Sequence, residues 1–283
     1  MSNKPLVSTI TPCFNMKRYL KLFLEELPKQ TIFDRLQVVL DHNEPSEEEL
    51  QWVREFDEKH PGVIKHIIVD PVEPIGTSMN RCIREADADY VAIWNVDDLR
   101  TPDSLEKQVN ILLENEEYGI SHGNFVIVNQ FPGNKGKFVD HSIYSHTPKE
   151  FTRSMVLGPF FMWRKSLCDV AGMFDEQLKS GADFDLAIRL AIHAKVGVAH
   201  GVLGYYLDEG RGASTRGDGK QPMERTLIEQ RYGIYDKLEA QWVARLAEKP
   251  DYKLETVFFD GKEHPVTDFV PNYDDFRIEN SKS

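Results

Sequence analysis

The fold of this chain is decided by the stretch YVAIWNVDDLRTP, residues 90–102. It opens with an apolar run typical of a buried strand, and the adjacent acids Asp97 and Asp98 follow almost at once. Thr101 and Pro102 then predict a helix with proline at its first position, where the missing N–H costs nothing. A buried strand that ends in polar residues before a helix indicates an α/β sheet with ligands at its carboxyl edge.

The same alternation extends to both sides of this stretch. Apolar, β-branched runs predict strands at 6–10, 36–40 and 64–69, and Pro12 is expected to end the first of them. Apolar residues at helical spacing lie between the strands, and Ser46 with Glu49 predicts a capping box at the start of one helix. This order predicts an α/β fold with a mainly parallel central sheet flanked by helices. Further on, helices are predicted near 183–194 and 223–247, and a Gly-rich loop at 208–221.

Composition excludes several classes of protein. The 283 residues are 41% hydrophobic, enough for a sizeable core, and carry a formal net charge of −12 without a basic cluster. Tight generic binding to nucleic acid or an anionic membrane is therefore not expected. No apolar run reaches the ~18–20 residues of a membrane span, and the polar N-terminus lacks a signal sequence, so a cytoplasmic protein is expected. Cys13, Cys82 and Cys168 are widely spaced, which predicts reduced structural thiols.

The two adjacent aspartates favour a cation site. Asp97 and Asp98 repel one another unless a cation, a helix N-terminus or hydrogen bonds compensate. Mg²⁺ and Mn²⁺ are usually held by one or two carboxylates together with substrate phosphates. The alternative is that Asp98 caps the helix that begins near Thr101 and that Asp97 is merely solvated.

Four blocks together resemble family 2 glycosyltransferases, which adopt the GT-A fold. They are TPCFN (11–15), VVLDHN (38–43), the run from Pro74 to Val109 and the run from Gly158 to Leu190. The resemblance covers roughly residues 6–215. It implies transfer of a sugar from a nucleotide-diphosphate sugar, with a UDP-sugar favoured, to an unidentified acceptor hydroxyl. It also implies inversion of configuration and Mn²⁺ or Mg²⁺ as cofactor.

The resemblance also implies a domain plan. Residues 1–221 would form the GT-A domain, with 1–130 as the nucleotide-binding half and 131–221 as the acceptor half. Residues 222–283 would form a helical C-terminal extension and tail.

For the metal, the resemblance points to Asp97 as the ligand that faces the donor's diphosphate. Asp98 would support the water shell of the metal. Asn95 stands where the family usually has another aspartate, and it can still hydrogen-bond a ribose hydroxyl.

For the nucleoside, Pro12, Phe14 and Asn15 match the family's first strand end, and Phe14 offers a ring on which a base can stack. Asp41 and His42 match the second strand end. His42 replaces an acid and would accept the imide N–H of uracil through a ring nitrogen. The alternatives are that Phe14 belongs to the core and that His42 lies in a surface loop.

Three further residues are expected to contact the donor. Asn80 and Arg81 follow Gly76 on a helix whose start approaches the donor, and Arg81 would reach ribose or phosphate. Arg211, on the Gly-rich loop, would close over the diphosphate. The alternatives are a helix-surface arginine and a solvated loop.

The resemblance assigns the catalytic base to Asp183. An inverting transfer needs a carboxylate that takes the proton of the acceptor hydroxyl. Ala182 replaces the glutamate that usually precedes this aspartate. Asp183 can also be a helix N-cap, which is compatible with the role of base. Asp185 is the alternative base, or else it binds backbone or an arginine.

Two other classes of function remain open from the sequence. A sugar nucleotidyltransferase usually carries a Gly-rich, basic loop after the first strand, and residues 11–15 do not form one. A non-catalytic nucleotide-sugar-binding protein is favoured by the departures at Asn95, His42 and Ala182.

Overall fold

The computed structural model describes residues 4–131, 136–141, 146, 155–210, 220–232, 256–259 and 262–265. The strands are β1 (Val7–Phe14), β2 (Leu36–Asn43), β3 (Ile64–Val69), β4 (Tyr90–Ile93), β5 (Leu99–Arg100), β6 (Tyr118–Val128), β7 (Lys137–Val139), β8 (Met162–Arg164), β9 (Lys195–Leu207), β10 (Thr256–Phe259) and β11 (Lys262–Pro265). The α-helices are α1 (Lys17–Glu26), α2 (Glu47–Lys59), α3 (Ile75–Glu85), α4 (Ser104–Glu114), α5 (Cys168–Ala171), α6 (Ala182–His193) and α7 (Lys220–Arg231).

A single large sheet, of nine strands in the described residues, organises the domain in the order β3-β2-β1-β4-β8-β6-β9-β5, with β7 paired to β6. Strands β3, β2, β1 and β4 are mutually parallel. Beyond β4 the sheet becomes mixed, because β8 is antiparallel to both β4 and β6 while β6 and β9 are parallel. The predicted helix-flanked α/β sheet is confirmed, and four adjacent parallel strands at 7–93 form its first part.

Strand β1 does not stop at Pro12, as the sequence predicted, but continues to Phe14. The physical reason is that β4 pairs with β1 only as far as Ile10, whose carbonyl accepts the last bond, from the Trp94 N–H. Successive residues of a strand direct their backbone groups to opposite neighbouring strands, so the backbone nitrogen of Pro12 lies on the same side as that of Ile10. Pro12 therefore faces the side on which β4 has already ended, where a missing N–H breaks no ladder bond.

Two hydrophobic clusters cover opposite faces of the parallel part of the sheet. Ile10 of β1 and Val39 of β2 belong to the first cluster, which also contains apolar residues of α3, α6 and α7. Val7 and Val38 belong to the second, which also contains residues of α1, α2 and α4. Cys13 and Cys82 are buried in these clusters, and all three cysteines are free, as predicted.

The helix starts agree with the sequence in one case and differ in the other. Ser46 caps α2, and its capping box with Glu49 is complete. Helix α4, however, begins at Ser104 with Asp103 as its N-cap residue, so Pro102 precedes the helix instead of occupying its first position. The Thr101 N–H and hydroxyl bond the carbonyl of Leu203 in β9, which holds this turn out of the helix.

Helix α7 is packed into the domain. Its buried side chains Met223, Leu227 and Ile228 belong to the same cluster as Phe184 and Leu186 of α6. The predicted helix at 223–247 is described as far as Arg231, and β10 and β11 form an antiparallel hairpin in the tail. None of the helices in the described ranges combines the length and apolar character that crossing a bilayer requires.

Candidate functional site

The ends of β1 and β2 bring three of the predicted nucleoside contacts, Pro12, Phe14 and Asp41, to one face together with Asn43. Pro12 is in register with Asp41, and Phe14 with Asn43. These residues continue the face of Ile10 and Val39, which is the face covered by α3 and α6. The Phe14 side chain is 48% exposed. The alternative that Phe14 belongs to the core is therefore wrong, and its ring is free to stack on a ligand.

Asp41 is fully buried but has two strong partners. Its Oδ1 accepts a hydrogen bond from the Asn43 amide at 2.8 Å, and its Oδ2 forms an ion pair with Arg81 at 2.7 Å. Arg81 also pairs with Glu73 through its second terminal nitrogen. The predicted donor contacts Asp41 and Arg81 are therefore brought together, as an ion pair at the end of the second strand.

The structure corrects the prediction that His42 contacts the base. Successive strand residues face opposite sides, so His42 lies on the other face of β2 from Asp41 and Asn43. It is 1% exposed, its Nδ1 lies 3.2 Å from His66 Nε2, and its Nε2 lies 3.7 Å from Glu49 Oε1. His42 is therefore a buried residue beneath α2, neither in a surface loop nor on the nucleotide face.

The two histidines make the stability of the fold depend on pH. Burial lowers the pKa of His42, and burial followed by the charge of His42 lowers the pKa of His66 from 6.5 to about 4. Between these two values the unfolded chain binds more protons than the folded one. The free energy of unfolding should therefore fall as pH decreases from 6.5 towards 4.

His66→Gln should remove part of this pH dependence. We expect the variant to lose less stability than the wild type between pH 6.5 and 4, measured by urea unfolding at several pH values. The exposed His200→Gln serves as the control and should follow the wild type. Parallel curves for wild type and His66→Gln would contradict the assignment.

Asn80 joins two parts of the chain. Its amide donates to the Phe174 carbonyl at 2.9 Å and to Glu176 at 2.8 Å, and its oxygen accepts from the Phe174 N–H at 2.8 Å. Gly76 lies against the same segment, since a Cβ at this position would be 2.9 Å from Glu176 Cα. Both residues thus fasten the segment that leads to α6 onto α3. The Asn80 side chain, predicted to approach the donor, is already engaged within the protein.

The acidic turn after β4 separates the two aspartates. Asp98 is 1% exposed, and its oxygens accept hydrogen bonds from the Leu207 N–H at 3.0 Å and the Asn95 amide at 3.1 Å. The alternative that Asp98 caps the following helix is wrong, because Asp98 instead holds the end of β9. Asp97 is half-buried, and burial, with a further contribution from Glu209, raises its pKa. Asp97 is therefore the carboxylate of the pair left for a ligand.

Glu209 is a site residue that the sequence analysis missed. It lies two residues beyond the end of β9, and its carboxylate accepts a hydrogen bond from the Tyr19 hydroxyl at 2.5 Å and from Arg18 at 3.2 Å. Burial and this bond raise the pKa of Tyr19 to about 12. The predicted diphosphate contact Arg211 lies just beyond, outside the described residues. In the sequence, Glu209 stands out only as an acid beside a Gly-rich loop. Its partners Arg18 and Tyr19 on α1 reach it through tertiary packing, which the sequence does not show.

Asp183 lies in the first turn of α6, where the sequence predicted the base. Gly181 is the N-cap residue, and Asp183 Oδ1 accepts only the Phe184 N–H, at 2.8 Å, among the bonds described for it. Burial raises the pKa of Asp183, and the charge of Glu224 adds to the rise. A partly exposed carboxyl with a raised pKa is suited to accept a proton.

Asp185 is held in a buried network of charges. It pairs with Arg189 at 2.7 Å and with Arg231 at 3.3 Å, and it accepts a hydrogen bond from the Tyr232 hydroxyl at 2.9 Å. Burial alone would raise the pKa of Asp185, but the two guanidinium groups hold it below its usual range. These contacts agree with the structural, arginine-binding role considered for Asp185 and leave its carboxylate occupied.

Asp185→Asn should therefore act mainly on stability. Breaking a buried ion network from one side leaves guanidinium charge uncompensated, so we expect a loss of about 3–5 kcal/mol in the free energy of unfolding. Chemical denaturation of the purified variant measures it. Asp169→Asn, at an exposed position on α5, should stay within about 0.5 kcal/mol of the wild type. A stable but inactive Asp185→Asn would instead give this residue a role in the chemistry.

Within the described ranges, no group of three or more His, Cys, Asp or Glu side chains is arranged to hold a metal ion. Asp97 and Glu209 are nevertheless close enough for the charge of one to affect the pKa of the other. Two carboxylates of this kind suit Mg²⁺ or Mn²⁺, which take their other ligands from substrate phosphates and water.

Comparison with known proteins assigns the chain to a class. Residues 8–168, more than half of the chain, match the family model for glycosyl transferase family 2. The chain therefore belongs to glycosyl transferase family 2. An uncharacterised glycosyltransferase of Methanocaldococcus jannaschii is 26% identical over 197 residues, which cover 66% of this chain and 65% of that relative.

Solved structures show the same fold. TarS 1–349 of S. aureus in complex with UDP-GlcNAc has a TM-score of 0.64 at 19% identity, covering 86% of this chain and 71% of that chain. The mannosyltransferase PcManGT of Pyrobaculum calidifontis, in complex with GDP-Man and Mn²⁺, has a TM-score of 0.59 at 15% identity, covering 99% and 84%. These similarities confirm the GT-A architecture.

Proposed function

We propose that this chain transfers a glycosyl group from a nucleoside diphosphate sugar to an acceptor hydroxyl, with inversion at the anomeric carbon. One observation carries the proposal: the exposed Phe14 ring, the Asp41–Arg81 pair and α6, which bears Asp183, share one face of the sheet. The UDP-GlcNAc and GDP-Man complexes of similar fold support a nucleotide sugar as donor. A UDP-sugar is the donor that we favour.

The nucleoside would bind at the ends of β1 and β2. Phe14 would stack on the base, a contact worth about 0.5–1.5 kcal/mol for an aromatic pair beyond the area that it buries. Asn15, the residue after Phe14, adopts a left-handed backbone with φ of 55°. The chain turns away at this point and leaves the Phe14 ring uncovered. Arg81, 23% exposed beside Asp41, would offer its remaining N–H groups to the nucleoside.

Asp97 and Glu209 would hold a divalent cation, and Asp98 would fix their spacing. The Asp98 bond to the Leu207 N–H ties the acidic turn to the end of β9, two residues before Glu209. Asn95 supplies the amide that bonds the second Asp98 oxygen, a contact that an aspartate could not make without protonation. A bound Mn²⁺ or Mg²⁺ would offset the charge of the departing nucleoside diphosphate.

Asp183 would act as the base. Its carboxylate takes the proton of the acceptor hydroxyl as that oxygen bonds to the anomeric carbon, and the bond from that carbon to the diphosphate oxygen breaks. The raised pKa makes this carboxylate a stronger proton acceptor than an ordinary aspartate. The occupied carboxylate of Asp185 supports Asp183 as the base.

The domain plan follows the same division. We propose residues 1–130 as the nucleotide-binding half and 131–221 as the acceptor half of the GT-A domain. Residues 222–283 would continue from the acceptor half, since α7 crosses this boundary and packs its apolar side chains against α6.

Donor binding tests the proposal without knowledge of the acceptor. UDP-GlcNAc or another nucleoside diphosphate sugar at a hundredfold excess over Kd should stabilise the protein by about 2.7 kcal/mol when Mn²⁺ is present. Thermal unfolding with UDP-, GDP- and CDP-sugars, each with and without Mn²⁺, measures this. Free sugars with Mn²⁺ are the control and should give no shift. Failure of every nucleotide sugar to stabilise the chain would contradict the proposed function.

A further inference from the structure

Helix α7 reaches the first turn of α6 through one buried side chain. The Glu224 carboxylate, which is 0% exposed, accepts hydrogen bonds from three consecutive backbone N–H groups, those of Lys179, Ser180 and Gly181. The three distances are 2.8, 2.7 and 2.7 Å, typical of charge-assisted bonds. Because Gly181 is the N-cap residue of α6, Glu224 fixes the backbone that leads into the helix that carries Asp183.

The fit between α7 and this segment is close. A Cβ at Gly181 would lie 2.8 Å from Ile228 Cδ1 and 3.5 Å from a Glu224 oxygen, so a side chain at position 181 would have to displace the tip of Ile228. About two helical turns beyond Glu224, Arg231 pairs with Asp175 at 2.8 Å. Helix α7 therefore holds the segment from Asp175 to Gly181 at both ends, and the start of α6 is fixed between these contacts.

We infer that Glu224 is a positioning residue for the transfer reaction, which fixes the place of Asp183 and whose charge acts on the Asp183 carboxylate. This inference rests on the proposed role of Asp183 as the base. The free N–H groups of a helix N-terminus stabilise nearby anions and so weaken them as bases. In the first turn of α6, the Phe184 N–H bonds Asp183 in this way. The like charge of Glu224 acts in the opposite direction and preserves the affinity of Asp183 for a proton.

The charged groups around Asp183 support this assignment. From α7, Glu224 faces the start of α6, while Arg225 lies over the Phe184 ring at 5.6 Å and pairs with Glu229 at 2.8 Å. On α6 itself, the charge of Asp185 is paired with Arg189. Burial is the largest cause of the raised pKa of Asp183, and the charge of Glu224 adds to the rise.

The test compares Glu224→Gln with two matched variants of the same helix. Glu229→Gln makes the same chemical change away from the start of α6, and Leu227→Ala loosens the packing of α7 while retaining Glu224. The titration of Asp183 is followed by carboxyl carbon-13 NMR, and kcat against pH is measured for donor turnover. Glu224→Gln should shift the Asp183 titration to lower pH and reduce kcat by about 10²-fold, as for a displaced catalytic group. The two matched variants should leave the titration in place.

The conservative variant Glu224→Asp keeps the charge, so Asp183 should still titrate at the raised pH of the wild type, with a smaller loss of kcat. This variant tests the inference even if Glu224→Gln fails to fold. An unchanged Asp183 titration in Glu224→Gln, an equal shift in Glu229→Gln, or the loss of the raised titration in Glu224→Asp would each overturn the inference. The NMR titration needs no turnover. An active Asp183→Asn would therefore refute the base itself, a result distinct from a failure of Glu224 to act on Asp183.

Discussion

Asp183→Asn is expected to lower kcat by about 10²–10⁴-fold, the range typical of losing a general base. The amide has nearly the same shape but cannot take a proton from the acceptor hydroxyl. Because Asp183 lies at the start of α6 and not at the ends of β1 and β2, Kd for the donor should change little. Steady-state kinetics for kcat and calorimetry for donor binding measure the two effects separately.

Asp169→Asn is the control for this prediction, because it makes the same change at an exposed position on α5. It should retain wild-type kcat. A kcat within a few-fold of wild type for Asp183→Asn, or a loss accompanied by an equal loss of donor affinity, would contradict the role of base.

Asp97→Asn is expected to remove the dependence of donor binding on Mn²⁺. With one carboxylate gone, Glu209 and the diphosphate are left to hold the cation, and kcat/KM should fall by about 10²–10³-fold, as when one preorganised group is removed from a site of developing charge. The wild type should show tighter donor binding with Mn²⁺ than with chelator, and the variant should bind equally in both.

Asp89→Asn is the matched control, since it lies just before the opposite end of β4 and its carboxylate pairs with the exposed Lys4. It should keep the response to Mn²⁺. A chelator-treated wild type with full activity would show that Asp97 has no cation to hold.

The sequence predicted those parts of the site that follow from the carboxyl-edge rule. A strand with a clear apolar run has its end marked in the sequence, and parallel strands bring their ends to one edge. This rule points to the strand ends that carry Phe14, Asp41 and Asp97, and the resemblance to the family supplies their predicted roles. The prediction for His42 is wrong because the resemblance matches positions along the chain and does not say which face of β2 a side chain occupies. Applied to the whole strand, alternation separates His42 from Asp41 and Asn43.

The contacts that join distant segments could not be read from the sequence. Asp185 and Arg189 are one helical turn apart, a spacing at which side chains meet, and an arginine partner was predicted for Asp185. Arg231, Glu224 and Glu209, in contrast, reach the site from other elements. Their roles depend on how α7 and the end of β9 pack, and packing of that kind leaves no periodic signal in the chain.

The stereochemistry of donor turnover tests the central claim most directly. Proton NMR can follow the sugar first released from UDP-GlcNAc, an α-linked donor, by the wild-type protein with Mn²⁺, and Asp183→Asn serves as the blank. A single inverting displacement assisted by Asp183 predicts that the β-anomer appears first, before mutarotation, and that the blank releases almost none. First release of the α-anomer would contradict the mechanism. Binding of UDP-GlcNAc with neither hydrolysis nor transfer to any added acceptor would show a nucleotide-sugar-binding protein instead of an enzyme.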